Sequence, residues 1–385
     1  MINCGSSSLK AAVVHAVDGS VPLKALAERL GTPEASLTLA REGSRTKVPL
    51  SGAGHREALH AVEEHMGPLR PAAIGHRVVH GGEEFTGSVL VDDDVMAAIE
   101  RCVPLAPLHN PANLAGIRTA QALFPGLPHV AVFDTAFHQT LPPAAFLYAV
   151  PHRLYDDFRI RRYGFHGTSH HYVSIEAAQR LGKAPAETSL VVMHLGNGCS
   201  ACAVHNGKSV DCTMGLTPME GLVMGTRSGD VDPGLHRFLQ DRAGMSLQEI
   251  NAMLNNDSGL LGLSGLSNDM RTLAEASAAG NKMAALAIEV FCYRLAKAAA
   301  GLTAALARLD AFVFTGGIGE NSAAVRRRTA EHWGVLDIRL DEAANKAHGS
   351  ATHGIISTAE SRIACLVVPT NEELMIARET ARLTR

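Results

Sequence analysis

Apolar and polar residues alternate along this chain in two rhythms. Short β-branched runs at residues 11–15, 73–79, 129–133, 190–195, 311–314 and 362–368 read as strands. Longer Ala-rich amphipathic runs separate them. The clearest spans 282–309, with Leu286, Val290, Tyr293 and Leu295 as apolar positions and alanine in the gaps. Strands alternating with helical runs predict an α/β fold. Two turns echo each other. Asn3-Cys4-Gly5-Ser6-Ser7-Ser8 leads into an apolar strand, and Gly196-Asn197-Gly198-Cys199-Ser200 lies between two. Each reads as strand, small-residue turn, strand, which points to a duplicated fold with a cleft between its halves. Pro-containing loops at 103–111 and 141–151 interrupt the first half, and the second is the expected domain boundary.

Composition narrows the classes. At roughly 150 residues per domain, 385 residues predict two or three domains. With 46% hydrophobic and 19% charged residues, the chain can bury a sizeable core. The 35 basic and 38 acidic residues leave a net charge of −3, which argues against holding a nucleic-acid backbone. Aromatics at 4% argue against base-stacking platforms. No uncharged apolar stretch approaches the roughly 18 residues of a membrane-spanning helix. No secretory signal is visible, and seven scattered cysteines suit a reduced, cytoplasmic setting.

Candidate chemistry falls into four groups. Thr315-Gly316-Gly317-Ile318-Gly319-Glu320-Asn321 follows a strand and precedes a helical stretch, where backbone N–H groups can face phosphate. Arg77 and Arg227 lie in glycine-flanked segments and can fork onto phosphate or carboxylate; a structural arginine is the alternative. His166 and His170 are four apart and could share a helix face, with phosphate contact favoured over a zinc site. His109 sits in a rigid Pro-bounded loop, where capping or packing is the alternative. Asp134 and Glu372 each follow a strand, where open α/β sheets place ligand groups. Either could hold Mg²⁺ through water or merely cap a helix. Cys199 and Cys202 resemble half of a metal or redox motif but read as small core residues.

These segments together resemble the acetate kinase family, within the acetate and sugar kinase, Hsc70 and actin superfamily. The matches are NCGSSSLK at 3–10, GHRVVHGGE at 75–83, PLHNPAN at 107–113, FDTAFHQ at 133–139 and YGFHGTSH at 163–170. HLGNG at 194–198, GLVMGTRSGDVDP at 221–233, SNDMR at 267–271, TGGIGENS at 315–322 and PTNEEL at 369–374 complete an ordered set. The resemblance implies a duplicated actin-like ATPase (ribonuclease H-like) fold, with two domains around a central cleft. Residues 1–136 with 369–385 would form the acetate and metal side, and 137–368 the nucleotide-binding domain. It implies direct, reversible phosphoryl transfer between ATP and acetate, giving acetyl phosphate and ADP.

By position, Asn3 and Glu372 would hold Mg²⁺, with Mn²⁺ as a substitute, and Lys10 would lie near the phosphates. His194, Leu195, Gly196, Asn197 and Gly198, with Gly316, Gly317, Ile318, Gly319 and Glu320, would cradle the nucleotide. Asp269, Met270 and Arg271 would lie near the adenosine. Arg77 would bind acetate, with Val79, Leu108, Phe165 and Pro218 around its methyl group. His166, Arg227 and His109 would join Asp134 in the catalytic set. A homodimer is implied, with no nucleic-acid or membrane partner. In one departure, the family usually carries several apolar residues before its Asn-x-Gly-Ser-Ser-Ser segment. Here only Met1 and Ile2 precede Asn3, so the first strand and its hold on Asn3 come into question.

Acetate, like a Glu side chain, is an anion at neutral pH, so no base need deprotonate it. Asp134 is therefore expected to orient Arg227 or metal-bound water. Two other readings remain: a propionate or butyrate kinase of the same family, separated by acyl-pocket volume, and a nucleotide-binding actin-like module without turnover.

Overall fold

The computed structural model describes residues 1–41, 43–107 and 109–385. Internal contacts divide the chain into one unit of Met1–Gln139 with Asn371–Arg385, and a second of Thr140–Thr370.

The first unit is built on β1 (Ile2–Cys4), β2 (Leu9–Val13), β3 (Leu23–Glu28), β4 (Ser36–Arg41), β5 (Ser44–Pro49), β6 (Ile74–Val78), β7 (Val89–Leu90) and β8 (His129–Phe133). They form one sheet in the order β5-β4-β3-β2-β1-β6-β8-β7. Strands β1 to β5 run as an antiparallel meander, while β6 and β8 join parallel to β1 and to each other. A parallel strand is buried on both faces, which explains the apolar run Val130–Phe133 within β8. Val130 and Val132 pack on Ile376 of the helix Glu372–Thr384, whereas Ala131 and Phe133 pack with Val78, Ile99, Leu114 and Ile117.

The second unit holds β9 (Ser189–Leu195), β10 (Cys199–His205), β11 (Lys208–Cys212), β12 (Ala311–Thr315) and β13 (Ala364–Val367), in the order β11-β10-β9-β12-β13. The expected duplication is visible in the topology. In each unit a hairpin, β1/β2 or β9/β10, presents its first strand to a parallel partner, β6 or β12, and a further parallel strand follows. Both small-residue turns are hairpin turns, as read.

Other boundaries move. The run at 11–15 forms β2 over Leu9–Val13, because His15 closes a turn with Gly19 and Ser20. The long helix spans only Lys282–Leu302, followed by a 3₁₀ turn at Thr303–Ala305. Its buried face is Ala284, Ala287, Ile288, Phe291, Cys292, Leu295, Ala296, Ala299 and Leu302, while Leu286 and Tyr293 are exposed. Small residues let this helix approach β9 and β10 closely, so the alanines rather than the larger side chains define its inner face.

The first strand does form, over three residues. The Met1 ammonium donates to the Ala12 carbonyl at 2.7 Å, and Ala12 N–H donates back to Met1 at 3.0 Å. A cavity of about 430 Å³ opens at that end, lined by Met1, Ala12, Val14, Leu59, Gly75 and Ala377 among others. All seven cysteines are buried and unbridged, Cys199 and Cys202 among them. Among the described residues no helix is long and apolar enough to cross a membrane.

Candidate active-site groups

In the first unit the extended backbone of β6 sorts its side chains by alternation. His76, Val78 and His80 are buried, and Arg77 and Val79 share the half-buried side. Parallel pairing with β8 sets Val78 beside Phe133, so Asp134 emerges next to Arg77. Arg77 Nε donates to Asp134 Oδ1 at 3.0 Å, and Nη2 donates to Oδ2. Asp134 is 2% exposed, so this fork holds a buried carboxylate. The sequence reading paired Asp134 with Arg227 or metal-bound water; in the structure the guanidinium bound to it is Arg77. Burial pulls the Arg77 pKa down, but the charges of Asp134 and Glu372 outweigh it and leave it raised.

Glu372 opens the helix Glu372–Thr384, yet the N-cap is Asn371, whose Oδ1 accepts from Leu374 N–H at 2.9 Å. Its neighbour Glu373 is bound to Lys24 at 2.9 Å. Asn3 lies directly opposite Lys10 in the β1/β2 register, so both side chains project from one face. An amide oxygen and a carboxylate suit Mg²⁺, which takes few protein oxygens and completes its shell with water and phosphate. Among the described residues no three His, Cys, Asp or Glu gather as a metal cage.

Two asparagines that the sequence reading did not single out hold this group in place. Asn113 accepts from Val79 N–H at 3.0 Å and donates to the Cys4 carbonyl at 2.8 Å. Asn110 accepts from His80 N–H at 3.2 Å and donates to the His80 carbonyl at 2.9 Å. Both belong to the helix Asn110–Leu123 and sit three apart, facing β6 and the end of β1. That spacing was present in PLHNPAN and is the signal that could have found them. His109 occupies the N-cap position of this helix without a side-chain capping bond. Leu108, assigned to the acyl pocket, lies outside the described residues.

In the second unit the turn Gly196-Asn197-Gly198 closes β9 onto β10. A Cβ on Gly198 would lie 2.7 Å from Arg227 Nη2 and 3.4 Å from the His166 ring. Glycine here lets a guanidinium and an imidazole meet on the turn. Arg227 Nη1 donates to the Pro218 carbonyl at 2.5 Å. Arg227 makes no ion pair among the described residues, and burial lowers its pKa. A half-buried cation without a carboxylate is poised to accept an anion.

His166 stands at the N-cap of the helix Gly167–Arg180 with φ of 56°, in the left-handed region. Its ring stacks on His194 at 4.4 Å. Its Nδ1 lies 2.9 Å from Ser200 Oγ, and His170 Nε2 lies 2.8 Å from the same oxygen. The two histidines thus do share one side of the helix start, and they converge on a hydroxyl. His194 Nδ1 is 2.8 Å from Ser169 Oγ, which is 2.7 Å from Thr370 Oγ1. Leu195 and Phe165 are buried, and Pro218 is half-buried.

The segment at 315–321 departs from expectation. It is itself the short helix Gly316–Asn321, entered through Gly316 at φ of 76°. Glu320 Oε1 accepts from Gly316 N–H at 2.9 Å and Thr370 N–H at 3.1 Å, so this carboxylate closes the start of its own helix. Gly317, Ile318 and Gly319 complete the turn, and buried Arg326 holds the Gly319 and Glu320 carbonyls at 2.8 and 2.9 Å. Asp269 caps the helix Met270–Ala278 through Arg271 N–H at 2.8 Å and also pairs with the Arg271 side chain. Those bonds hold its carboxyl at about 2. Met270 is buried behind them, and Asn268 donates to Asn197 at 3.0 Å, tying this segment to the 196–198 turn.

The structure therefore gathers Arg77, Asp134 and Glu372 in one unit, and His166, His194, Gly198, Pro218 and Arg227 in the other. Two five-strand cores of one order place the protein among duplicated α/β proteins. The chain belongs to the acetokinase family, whose model its residues 1–378 match. It is 56% identical to the acetate kinase of Deinococcus radiodurans over 385 residues, covering 99% of this chain and 96% of that one. Its structure is similar to that of a propionate kinase from Francisella tularensis, with a TM-score of 0.94, 44% identity and coverage of 99% and 98%. It is similar again to Porphyromonas gingivalis acetate kinase, with a TM-score of 0.94, 40% identity and coverage of 100% and 98%. The fold is thus the duplicated actin-like ATPase class that the resemblance implied.

Proposed function

We propose that this protein transfers the terminal phosphoryl group of ATP to acetate, reversibly and in line, giving acetyl phosphate and ADP. The observation that carries this reading is Arg227, a half-buried guanidinium on the Gly198 turn beside His166, with no carboxylate bound to it among the described residues. Family membership and the names of the relatives supply the substrates.

The chemical obstacle is charge, since one anion must approach another. Arg77 binds the acetate carboxylate, with Asp134 fixing the plane of its fork. Val79, Phe165 and Pro218 are the residues that the family resemblance assigns to the acyl methyl. Arg227 and His166 donate to the phosphoryl oxygens as charge spreads over them. A carboxylate committed to Arg77 is a poor proton acceptor, which agrees with a reaction needing no base. His194 to Gly198 and the Gly316–Glu320 turn face the nucleotide phosphates, Lys10 lies near them, and Asp269 and Arg271 flank the adenosine. Mg²⁺, held by Asn3 and Glu372, would neutralise phosphate charge when bound. Residues 1–136 with 369–385 form the acetate and metal domain, and 137–368 the nucleotide domain. A cytoplasmic homodimer completes the reading.

ADP release with Mg-ATP is the test. It should rise on adding acetate and fall back without it, and equal rates would refute the reading. A solved relative described as a propionate kinase keeps acyl length as a second question. One methylene in an apolar pocket discriminates by about 1–3 kcal/mol, so propionate should be a poorer but real substrate.

A further inference from the structure

We propose that Ser200 is a positioning residue that sets the tautomer of His166, so that the neutral imidazole presents Nε2–H toward the Arg227 side. This rests on the phosphoryl-contacting role given to His166 above.

A hydroxyl has one proton to give and two lone pairs to receive with. Ser200 Oγ lies at hydrogen-bond distance from two imidazole nitrogens, His166 Nδ1 at 2.9 Å and His170 Nε2 at 2.8 Å. It can donate to only one of them. If it donates to His166, His170 Nε2–H donates to it, and His166 Nδ1 is an acceptor. The His166 proton then sits on Nε2, the ring atom that lies 3.4 Å from a Cβ built on Gly198, next to Arg227 Nη2. If the direction reverses, His166 Nε2 carries a lone pair, which cannot donate to an anionic oxygen. Only the first arrangement lets a neutral His166 act as a donor beside Arg227.

The surroundings make the choice consequential. Ser200 is fully buried in β10. The His166 ring is fixed by its stack on His194, and the backbone is fixed by the left-handed N-cap and by His170 N–H donating to the His166 carbonyl at 2.9 Å. With the ring held in this orientation, the bond made at the near nitrogen bears directly on which nitrogen carries the proton. Ser200 lies thirty-four positions from His166 in the chain and touches no reacting atom on this account.

The test reads the ring directly. In ¹⁵N-labelled wild-type protein near neutral pH, long-range ¹H–¹⁵N spectra should show His166 protonated on Nε2 and bare on Nδ1. Ser200→Ala should give a tautomer mixture. It should lower kcat about 10-fold or more, less than removing an electrostatic donor outright, with KM for acetate and ATP within about two-fold. Ser200→Thr, which keeps the hydroxyl, should restore both the spectrum and kcat to within a few-fold. Nδ1 protonation in the wild type would overturn the proposal, as would an unchanged tautomer in Ser200→Ala. So would a Ser200→Thr variant that is folded and as slow as Ser200→Ala. If Ser200→Ala does not fold, the wild-type and Ser200→Thr spectra still decide. A wild type with no acetate-dependent turnover would count against the kinase reading alone, because the spectrum tests the tautomer without it.

Discussion

Arg77 and Arg227 are both guanidinium groups in glycine-flanked segments, and their surroundings differ in what each can bind. Arg77 spends two N–H groups on Asp134, whereas Arg227 donates to the Pro218 carbonyl, makes no ion pair among the described residues and ends on a turn kept open by Gly198. Arg227→Ala should lower kcat by roughly 10³-fold, by analogy with arginine fingers, with little change in melting temperature. Arg77→Ala should raise KM for acetate and also lower the melting temperature, since it removes the forked partner of a buried carboxylate. Breaking such a pair costs about 3–5 kcal/mol. Steady-state kinetics and thermal unfolding of both variants check this, and the reverse pattern would mean that the two roles are exchanged. The adjacent acids separate in the same way. Glu373 pairs with Lys24 on the surface, so Glu373→Ala should be nearly silent. Glu372→Ala should weaken the dependence of turnover on Mg²⁺, and equal effects from the two would remove Glu372 from the metal site. Asp134 and Glu372 stood out as candidates because each comes after a strand run, Asp134 directly and Glu372 a few residues beyond the run ending at Val368. Ser200 did not stand out, because its two imidazole partners lie 30 or more positions away and only the fold brings them to it.

At the scale of the element, strand positions were read better than helix faces. β8 coincides with its run because a strand covered on both faces is buried at every position, and it is apolar from Val130 to Phe133. The helix Lys282–Leu302 was misread because alanine is apolar on any face, and packing distance rather than hydrophobicity chose the inner one. The same strands carry a pH dependence that no periodicity could announce. On neighbouring β6 and β8, His76 Nε2 lies 2.9 Å from His129 Nδ1, and both rings are buried. Burial, and then the His129 ring, push the His76 pKa well below its ordinary value, and burial lowers that of His129. The folded chain therefore favours neutral rings, while the unfolded chain takes up protons below about pH 6.5. This contribution is present above that pH and is lost as pH falls toward the depressed folded values, by about 1.4 kcal/mol per pH unit for each proton. The melting temperature should drop between pH 7 and pH 5, and His76→Gln should shrink that drop. An undiminished drop in the variant would assign acid sensitivity elsewhere.

For the whole molecule, duplication was visible from two short turns because a hairpin is local, and each turn kept its small residues. The order of the parallel strands was not, since it depends on crossovers between segments far apart in sequence. The two units carry different chemistry: one holds an arginine forked onto Asp134, the other an arginine that makes no ion pair among the described residues. Neither set alone explains acyl phosphate formation, so the central claim concerns what the complete chain makes. The most direct measurement is trapped product. The full-length protein is incubated with Mg-ATP, acetate and hydroxylamine, and the acyl hydroxamate is quantified against a mixture lacking acetate and a parallel one with Arg227→Ala. The account predicts hydroxamate from the wild type only when acetate is present, and about a thousandth of that rate from the folded variant. Hydroxamate at the no-acetate level from folded wild-type protein would contradict it.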